Sequence, residues 1–136
     1  MKSAKLQLEE DISQNKAYEY AVFLLGIRLR TEGELREKLR IKPARGGSAF
    51  GGNYNDKAIN EVIQRLKDQH YIDDQRYAEI FLDNLKKYKS WGYYGIKKKM
   101  MEKRLPANII ENVLSEGLSE EEELKIAERY LKKQET

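Results

Sequence analysis

Cysteine is absent from this 136-residue chain, and histidine occurs only once, at His70. Without cysteine the chain can form neither a disulfide nor a thiolate metal site. A lone histidine argues against a histidine-based metal centre and against a Ser-His-Asp arrangement, so we interpret His70 as a satisfied residue at a helix end. We therefore expect no bound metal, no cofactor and no enzymatic activity.

Long apolar runs are also missing. No stretch approaches the roughly 18 apolar residues that a membrane-spanning helix needs. The segment from Met1 to Lys16 is too polar for a secretory signal, and its weak periodicity is typical of a frayed leader. We expect a monomeric, cytoplasmic protein that makes no membrane contact.

Glycine is concentrated in one place, because four of the nine glycines lie between residues 46 and 52. No strand precedes them and no Lys-Ser or Lys-Thr pair follows, so they do not indicate a phosphate-binding loop. Pro43 ends the preceding helix. We expect a flexible glycine-rich insertion at about 43–56.

What the chain does contain is charge and helical periodicity. Charged residues make up 36% of the chain and hydrophobic residues 40%, which predicts a thin core and a large solvated surface. Apolar residues recur at the three- and four-residue spacing of helices, and no segment alternates long enough to form a sheet. The predicted fold class is all-α, with helices stacked into an elongated, curved array.

Several helix starts carry capping signals. Thr31 with Glu34, and Ser119 with Glu122, match the pattern in which a hydroxyl and a carboxylate satisfy each other's backbone amides. Asp56 is a candidate N-cap of a third helix. Pro106 suits the first turn of a later helix, where a missing N–H does no harm, and Gly117 suits the end of that helix.

The pair Asp73-Asp74 allows two interpretations. Placed immediately before a helical run, the two carboxylates suit N-capping and the helix dipole, with Arg76 as a partner for one of them. The alternative is a metal-dependent nuclease centre, but the surrounding sequence offers no cluster of further ligands. We favour the structural role.

Three successive helices recur in the same order, which predicts tandem three-helix repeats. The first two matches have an offset of 61 residues and the third has an offset of 51, and the glycine-rich insertion accounts for the difference. The matched sets are Ala17, Ala21 and Leu24 with Ala78, Leu82 and Leu85; Leu35 and Leu39 with Ile96 and Met100; and Ile59, Val62 and Ile63 with Ile110, Val113 and Leu114. The predicted organisation is a leader (1–16), a first repeat (17–72), a second repeat (73–118) and the start of an incomplete third repeat (119–136).

Positive charge is concentrated in two clusters. The first basic cluster can pair with nearby glutamates at helical spacing, and we weigh that surface pairing equally against contact with a partner. It comprises Arg28, Arg30, Arg36, Lys38, Arg40 and Lys42.

The second basic cluster contains eight basic residues and one acid between residues 84 and 105, with aromatic residues interleaved. Basic groups neutralise phosphate, and aromatic rings stack on bases or anchor a protein interface. A solvated helix face over a core of aromatics is the simpler alternative, but we favour contact with a partner. The cluster comprises Lys86, Lys87, Lys89, Lys97, Lys98, Lys99, Lys103 and Arg104, and its aromatic residues are Tyr88, Trp91, Tyr93 and Tyr94.

Three motifs along the chain match the pattern of one known family. The first, Arg28-x-Arg30-Thr31-x2-Glu34-Leu35-x3-Leu39, has a basic pair, a capping residue and a Glu-Leu helix start. The second, Tyr71-Ile72-Asp73-Asp74-x-Arg76-Tyr77-Ala78, has the form of a junction between repeats and is the most specific of the three. The third, Gly92-x2-Gly95-Ile96, has the form of the turn before the short helix of a second repeat. Together they resemble the RecX family of RecA regulators. The resemblance extends over residues 17–133, although the insertion is longer than expected and Tyr93 replaces the usual proline.

The resemblance implies a non-catalytic tandem-repeat protein that binds RecA and its filament on single-stranded DNA. Such proteins block filament growth and thereby inhibit recombinase, ATPase and coprotease activity. Both basic clusters would then face the filament, and direct contact with DNA is a further option. The alternative from the residues alone is a helical DNA-binding module that acts without RecA.

Overall fold

The computed structural model describes residues 3–41, 53–88 and 91–135, apart from the side chains of 88, 120, 121, 123, 126, 134 and 135. The described residues form seven helices and no strand, which confirms the predicted all-α class. Lys42, Lys89, Pro43 and nearly all of the expected insertion lie outside the described residues. The helices are α1 (Ala4–Ile27), α2 (Glu32–Arg40), α3 (Asp56–Asp68), α4 (Asp74–Tyr88), α5 (Tyr93–Glu102), α6 (Ala107–Gly117) and α7 (Glu120–Glu135).

The chain divides into a first unit, residues 1–73, and a second unit, residues 74–136. In the first unit α1 packs along α3, and α2 contacts both. Each fully buried leucine or isoleucine contributes about 1.5–3 kcal/mol through removal of apolar surface from water. The core is formed by Ala17, Ala21, Leu24, Leu35, Leu39, Ile59, Val62, Ile63, Leu66 and Ile72.

The second unit repeats this arrangement, with α4 packed along α6 and α5 in contact with both. Gly117 at the end of α6 permits close approach to α4, because a β-carbon there would lie 2.6 Å from the Leu82 Cδ2 atom. The core is formed by Ala78, Leu82, Leu85, Ile96, Met100, Leu105, Ile110, Val113, Leu114 and Leu118.

The backbone between the second and third helices of each unit shows the repeat most directly. In the first unit the Tyr54 amide donates to the Leu39 carbonyl (2.9 Å), and in the second the Leu105 amide donates to the Met100 carbonyl (3.3 Å). The residues before these donors, Asn53 and Arg104, have left-handed φ angles of 55° and 62°. The two units therefore share this hydrogen bond. In the first unit the insertion lies between its acceptor, Leu39, and its donor, Tyr54.

The predicted cap at Thr31 is confirmed. Its buried hydroxyl accepts from the Glu34 amide (3.2 Å), and the Glu34 carboxylate accepts from the Thr31 amide (3.1 Å). Only half of the second predicted box forms: Ser119 Oγ accepts from the Glu122 amide (3.1 Å), while the Glu122 carboxylate pairs with Lys86.

Three expectations about helix starts are corrected. The N-cap of α3 is Asn55, whose side-chain oxygen accepts from the Ala58 amide (2.8 Å), so Asp56 is the first helical residue. Pro106 is likewise the N-cap of α6 and not part of its first turn. The expected frayed leader is helical from residue 4, because Ser3 Oγ caps α1 at 3.2 Å from the Leu6 amide.

The early part of α1 lacks clear periodicity because Leu6, Leu8 and Ile12 are all exposed there and form no buried face. The Glu10 carboxylate contacts Lys57 of α3 at 3.4 Å, so a surface ion pair links this segment to the first unit. The predicted bounds of the leader and of the repeats, including the incomplete third, stay a prediction.

Within residues 3–41, 53–88 and 91–135, no helix has the length and hydropathy needed to cross a membrane. The same ranges contain no group of three or more histidine, aspartate and glutamate side chains arranged to hold a metal ion.

Candidate partner-binding surfaces

The first basic cluster lies on α2 and on the turn before it, and part of it is used inside the first unit. Arg30 is buried, and its Nε donates to the Leu24 carbonyl (3.4 Å) near the end of α1. Arg28 pairs with Glu34 at 3.0 Å. Both arginines thus help to hold the turn between α1 and α2.

Arg36 links α2 to α3. Its Nε donates to Glu32 (3.0 Å), and its Nη1 donates to the Asn60 side-chain oxygen (2.7 Å). Burial raises the pKa of Glu32, but hydrogen bonds and charge from Lys67 and Arg36 outweigh that effect and hold its pKa below its usual value. This arrangement ties three charged side chains together between the two helices.

The remaining described residues of the first basic cluster face solvent. Lys38 is exposed, and Arg40 is exposed beside Asp56 at 3.5 Å. An exposed ion pair of that length contributes little to stability and is easily broken. Among the described residues of this cluster, Lys38 and Arg40 are therefore the side chains that a partner could reach without disturbing the fold.

In the second basic cluster, Lys86 is used to attach α7. Its Nζ donates to the Gly117 carbonyl at the end of α6 (2.7 Å) and pairs with Glu122 of α7. Arg129 of α7 in turn donates to the Lys86 carbonyl at the end of α4 (3.0 Å). These contacts satisfy helix-end carbonyls and add a cation to each helix C-terminus, where it is favourable.

Lys97 joins α5 to α6 through Glu111. The Lys97 Nζ lies 2.7 Å from the Glu111 carboxylate, and the Tyr93 hydroxyl donates to the same carboxylate at 3.0 Å. These hydrogen bonds lower the pKa of Glu111 and raise the pKa of Lys97. Lys97–Glu111 occupies the place in the second unit that Arg36–Asn60 occupies in the first.

Trp91 and Lys99 form a second local arrangement. Trp91 is half-buried and packs against the core of the second unit. The Lys99 Nζ lies 5.2 Å from the centre of the Trp91 ring and 3.3 Å from Glu102. Gly95 fits closely above Trp91, since a β-carbon there would lie 3.3 Å from the Trp91 Cβ.

The side of α5 that faces solvent carries Tyr94, Lys98 and Met101, which we call the outward face of α5. Tyr94 is 83% exposed, Met101 is 60% exposed, and Lys98 is exposed between them. The Tyr94 ring is edge-on to Tyr93, with 5.2 Å between ring centres. Met101 was missed in the sequence, although its spacing from Tyr94 and Lys98 places it opposite the buried Ile96 and Met100.

The other residues singled out in the sequence are three cations and three residues at helix boundaries. Lys87 and Arg104 are exposed, and Lys103 is half-buried. His70 lies where α3 ends, as interpreted from the sequence, with a left-handed φ of 63°. Asp74 is the first residue of α4, and Asp73 directly precedes it. Whether Lys87, Lys103 or Arg104 binds a partner stays a prediction.

Two family models match the chain. The model described as RecX, first three-helix domain, matches residues 17–42, and the model described as RecX, second three-helix domain, matches residues 73–114. The chain belongs to the RecX family. The three-helix organisation and the resemblance predicted from the three motifs are thereby confirmed.

Curated relatives and solved structures agree with this assignment. "Regulatory protein RecX" of Oceanobacillus iheyensis is 29% identical over 126 residues, covering 93% of this chain and 43% of that protein. The protein of the same name from Clostridium botulinum is 32% identical over 108 residues, covering 79% of this chain and 45% of that protein. The chain thus spans less than half the length of these two relatives.

The crystal structure of RecX from Lactobacillus salivarius matches with a TM-score of 0.75 at 25% identity, covering 89% of this chain and 71% of that one. A second crystal structure, of a regulatory protein RecX, matches with a TM-score of 0.71 at 20% identity and supports the fold alone.

Proposed function

We propose that this chain is a regulatory protein that binds RecA and its filament on single-stranded DNA, and that binding inhibits recombinase, ATPase and coprotease activity. The observation that carries the proposal is the match of the two RecX three-helix-domain models to residues 17–42 and 73–114. Its relatives are named as regulators, which supports action through binding and not through catalysis. We also propose that it acts in the cytoplasm as a monomer.

Exposed cations on both units support contact with an anionic surface. Lys38 on α2, and Lys87 and Lys98 on the second unit, point into solvent. RecA bound to single-stranded DNA offers both protein carboxylates and phosphates, to which such cations are attracted. The buried Arg30 and the α7-bound Lys86 are less accessible to this contact, so we assign it mainly to the exposed side chains.

The test is the ATPase rate of RecA on single-stranded DNA with increasing amounts of this protein. We expect inhibition at micromolar protein. Lys98→Glu should raise the half-inhibitory concentration several-fold, because it reverses an exposed cation without breaking an internal ion pair. Lys132→Glu on α7, an equal change of charge at another exposed lysine of the second unit, is the control and should leave inhibition unchanged.

Failure of the unaltered protein to slow ATP hydrolysis would contradict the proposal. A helical module that binds DNA without RecA would instead bind naked oligonucleotide, with an affinity that falls steeply as salt rises. Co-sedimentation with RecA filaments, compared with naked DNA under the same salt, separates these two functions.

A further inference from the structure

The outward face of α5 has a composition that the fold does not require. At 3.6 residues per turn, Tyr94, Lys98 and Met101 fall within roughly 60° of one another on the helix surface. They lie opposite Ile96 and Met100, which are fully buried and supply the packing of α5 onto its unit. A largely exposed tyrosine beside an exposed methionine is therefore free to be covered by another molecule.

The cations around this face are mostly neutralised within the second unit. Lys97 lies 2.7 Å from Glu111, and Lys99 lies 3.3 Å from Glu102. Lys98 shows no carboxylate partner in the part of the chain that the structure describes. A phosphate backbone approaching this face would meet two carboxylates together with one available lysine.

We infer that the outward face of α5 is a protein-contact hot spot, in which Tyr94 and Met101 enter an apolar recess of an acidic protein surface. Lys98 pairs with a carboxylate on that surface. Tyrosine and methionine are both enriched at protein interfaces, tyrosine for its large amphipathic ring and methionine for its adaptable side chain. The inference rests on the proposed function, according to which that acidic surface belongs to the RecA filament.

Single-stranded DNA fits the same face less well. Binding to DNA without sequence preference needs a track of cations along the backbone together with rings on which the bases stack. Here a ring is present, but pairing with Glu111 and Glu102 interrupts the track of lysines. Charge complementarity therefore favours a protein with a carboxylate beside an apolar recess.

The first unit has no equivalent of this hot spot. The positions 61 residues earlier on α2 are Gly33, Glu37 and Arg40, which include neither an aromatic ring nor a thioether. The two units therefore share a fold but not this surface. We therefore assign the contact to α5 and not to the equivalent face of α2.

The experiment measures binding of Tyr94→Ala and Met101→Ala proteins to RecA filaments preassembled on single-stranded DNA and, separately, to the naked DNA. Tyr130→Ala is the matched control, because Tyr130 of α7 is also exposed in the second unit. We expect Tyr94→Ala to weaken filament binding about tenfold or more, and Met101→Ala several-fold. Tyr130→Ala should change it less than twofold, and thermal melting should show that all three variants fold.

The outcomes separate this inference from the proposed function. If the unaltered protein binds filaments and both substitutions leave the affinity unchanged, the hot spot is refuted and the proposed function stands. If the unaltered protein does not bind filaments, both fail. If Tyr94→Ala reduces binding to naked DNA as much as to filaments, the ring stacks on bases and the protein-contact assignment is overturned.

Discussion

His70 and Arg104 lie just after α3 and α5, and each helps to end the helix that precedes it. Their φ angles are 63° and 62°, in the left-handed region that favours glycine. After His70, the Tyr71 amide donates to the Leu66 carbonyl (2.9 Å), and after Arg104, the Leu105 amide donates to the Met100 carbonyl (3.3 Å). These bonds satisfy carbonyls that the helix leaves open, at the cost of placing a side chain where its β-carbon is crowded.

We predict that His70→Gly stabilises the protein by about 0.5–1 kcal/mol, because glycine adopts the left-handed conformation without a steric penalty. Urea unfolding followed by circular dichroism would measure the change. His70→Ala is the control and should give no gain, since alanine keeps the β-carbon. Equal stabilisation by both substitutions would mean that the backbone at His70 is not strained.

Glu32 is the carboxylate whose environment most directly links stability to pH. Its pKa is held below its usual value in the folded protein, because Lys67 and Arg36 outweigh the effect of burial. A depressed pKa contributes stability above the unfolded pKa, and this contribution is lost as pH falls through the folded pKa. The link between α2 and α3 should therefore weaken in acid.

We predict that Glu32→Gln is less stable than the unaltered protein at pH 7, and that the difference shrinks below about pH 4.5 as the carboxylate is protonated. Chemical unfolding at pH 7 and pH 3 would measure it. Glu61→Gln on the exposed side of α3 should show little difference at either pH. A deficit for Glu32→Gln that is equally large at both pH values would contradict the electrostatic explanation.

The connection from α2 to α3 is the element in which the two units differ. Leu39 and Tyr54 are joined by a backbone hydrogen bond across fifteen positions, while Met100 and Leu105 are joined across five. Removing residues 43–52 would place Asn53 directly after Lys42, in the same register as Arg104 after Lys103. The shorter connection would then match one that already closes the second unit.

We predict that deletion of residues 43–52 leaves the helix content unchanged. It should stabilise the first unit by roughly 1 kcal/mol, since each halving of a flexible loop saves about 0.6 kcal/mol of closure entropy. Circular dichroism and urea unfolding would test this. Deletion of residues 42–52, which is one residue longer and places Tyr54 four positions after Leu39, is the control and should give no stabilisation. Loss of helix content in the 43–52 deletion would show that the repeat register is wrong.

The described residues form two apolar cores, one in each unit. Leu39 and Met100 occupy equivalent positions in these cores, and both are fully buried. Truncating a fully buried side chain of this size removes apolar contacts and leaves a cavity. The two units should therefore respond alike to equivalent substitutions.

We predict that Leu39→Ala and Met100→Ala each cost about 2–5 kcal/mol. Amide hydrogen exchange would measure this on the helices of the unit that carries the substitution. Leu131→Ala, at an exposed position of α7, is the control and should cost less than about 1 kcal/mol. A cost below that value at Leu39 or Met100 would be inconsistent with the buried positions described here.

Much of the fold was predictable from local sequence. Apolar spacing predicted core positions, and every matched residue of the repeat is buried. Thr31 and Glu34 predicted a complete helix cap. Both features depend on residues within one or two helical turns. The sequence was less informative where two adjacent residues could both cap a helix. Asn55 and Asp56 are both good N-caps, and only the hydrogen bond to the Ala58 amide decides between them.

Accessibility of the basic residues was decided by tertiary packing. The sequence presents Lys86, Lys97, Lys98 and Lys99 as similar cations, yet packing brings Glu122 to Lys86 and Glu111 to Lys97 and leaves Lys98 in solvent. The carboxylates come from helices far along the chain, so no local pattern reports them. Ion pairing depends on distance in space, whereas helix formation depends mainly on neighbours in sequence, and for that reason the sequence predicted the helices but not which charges they leave available.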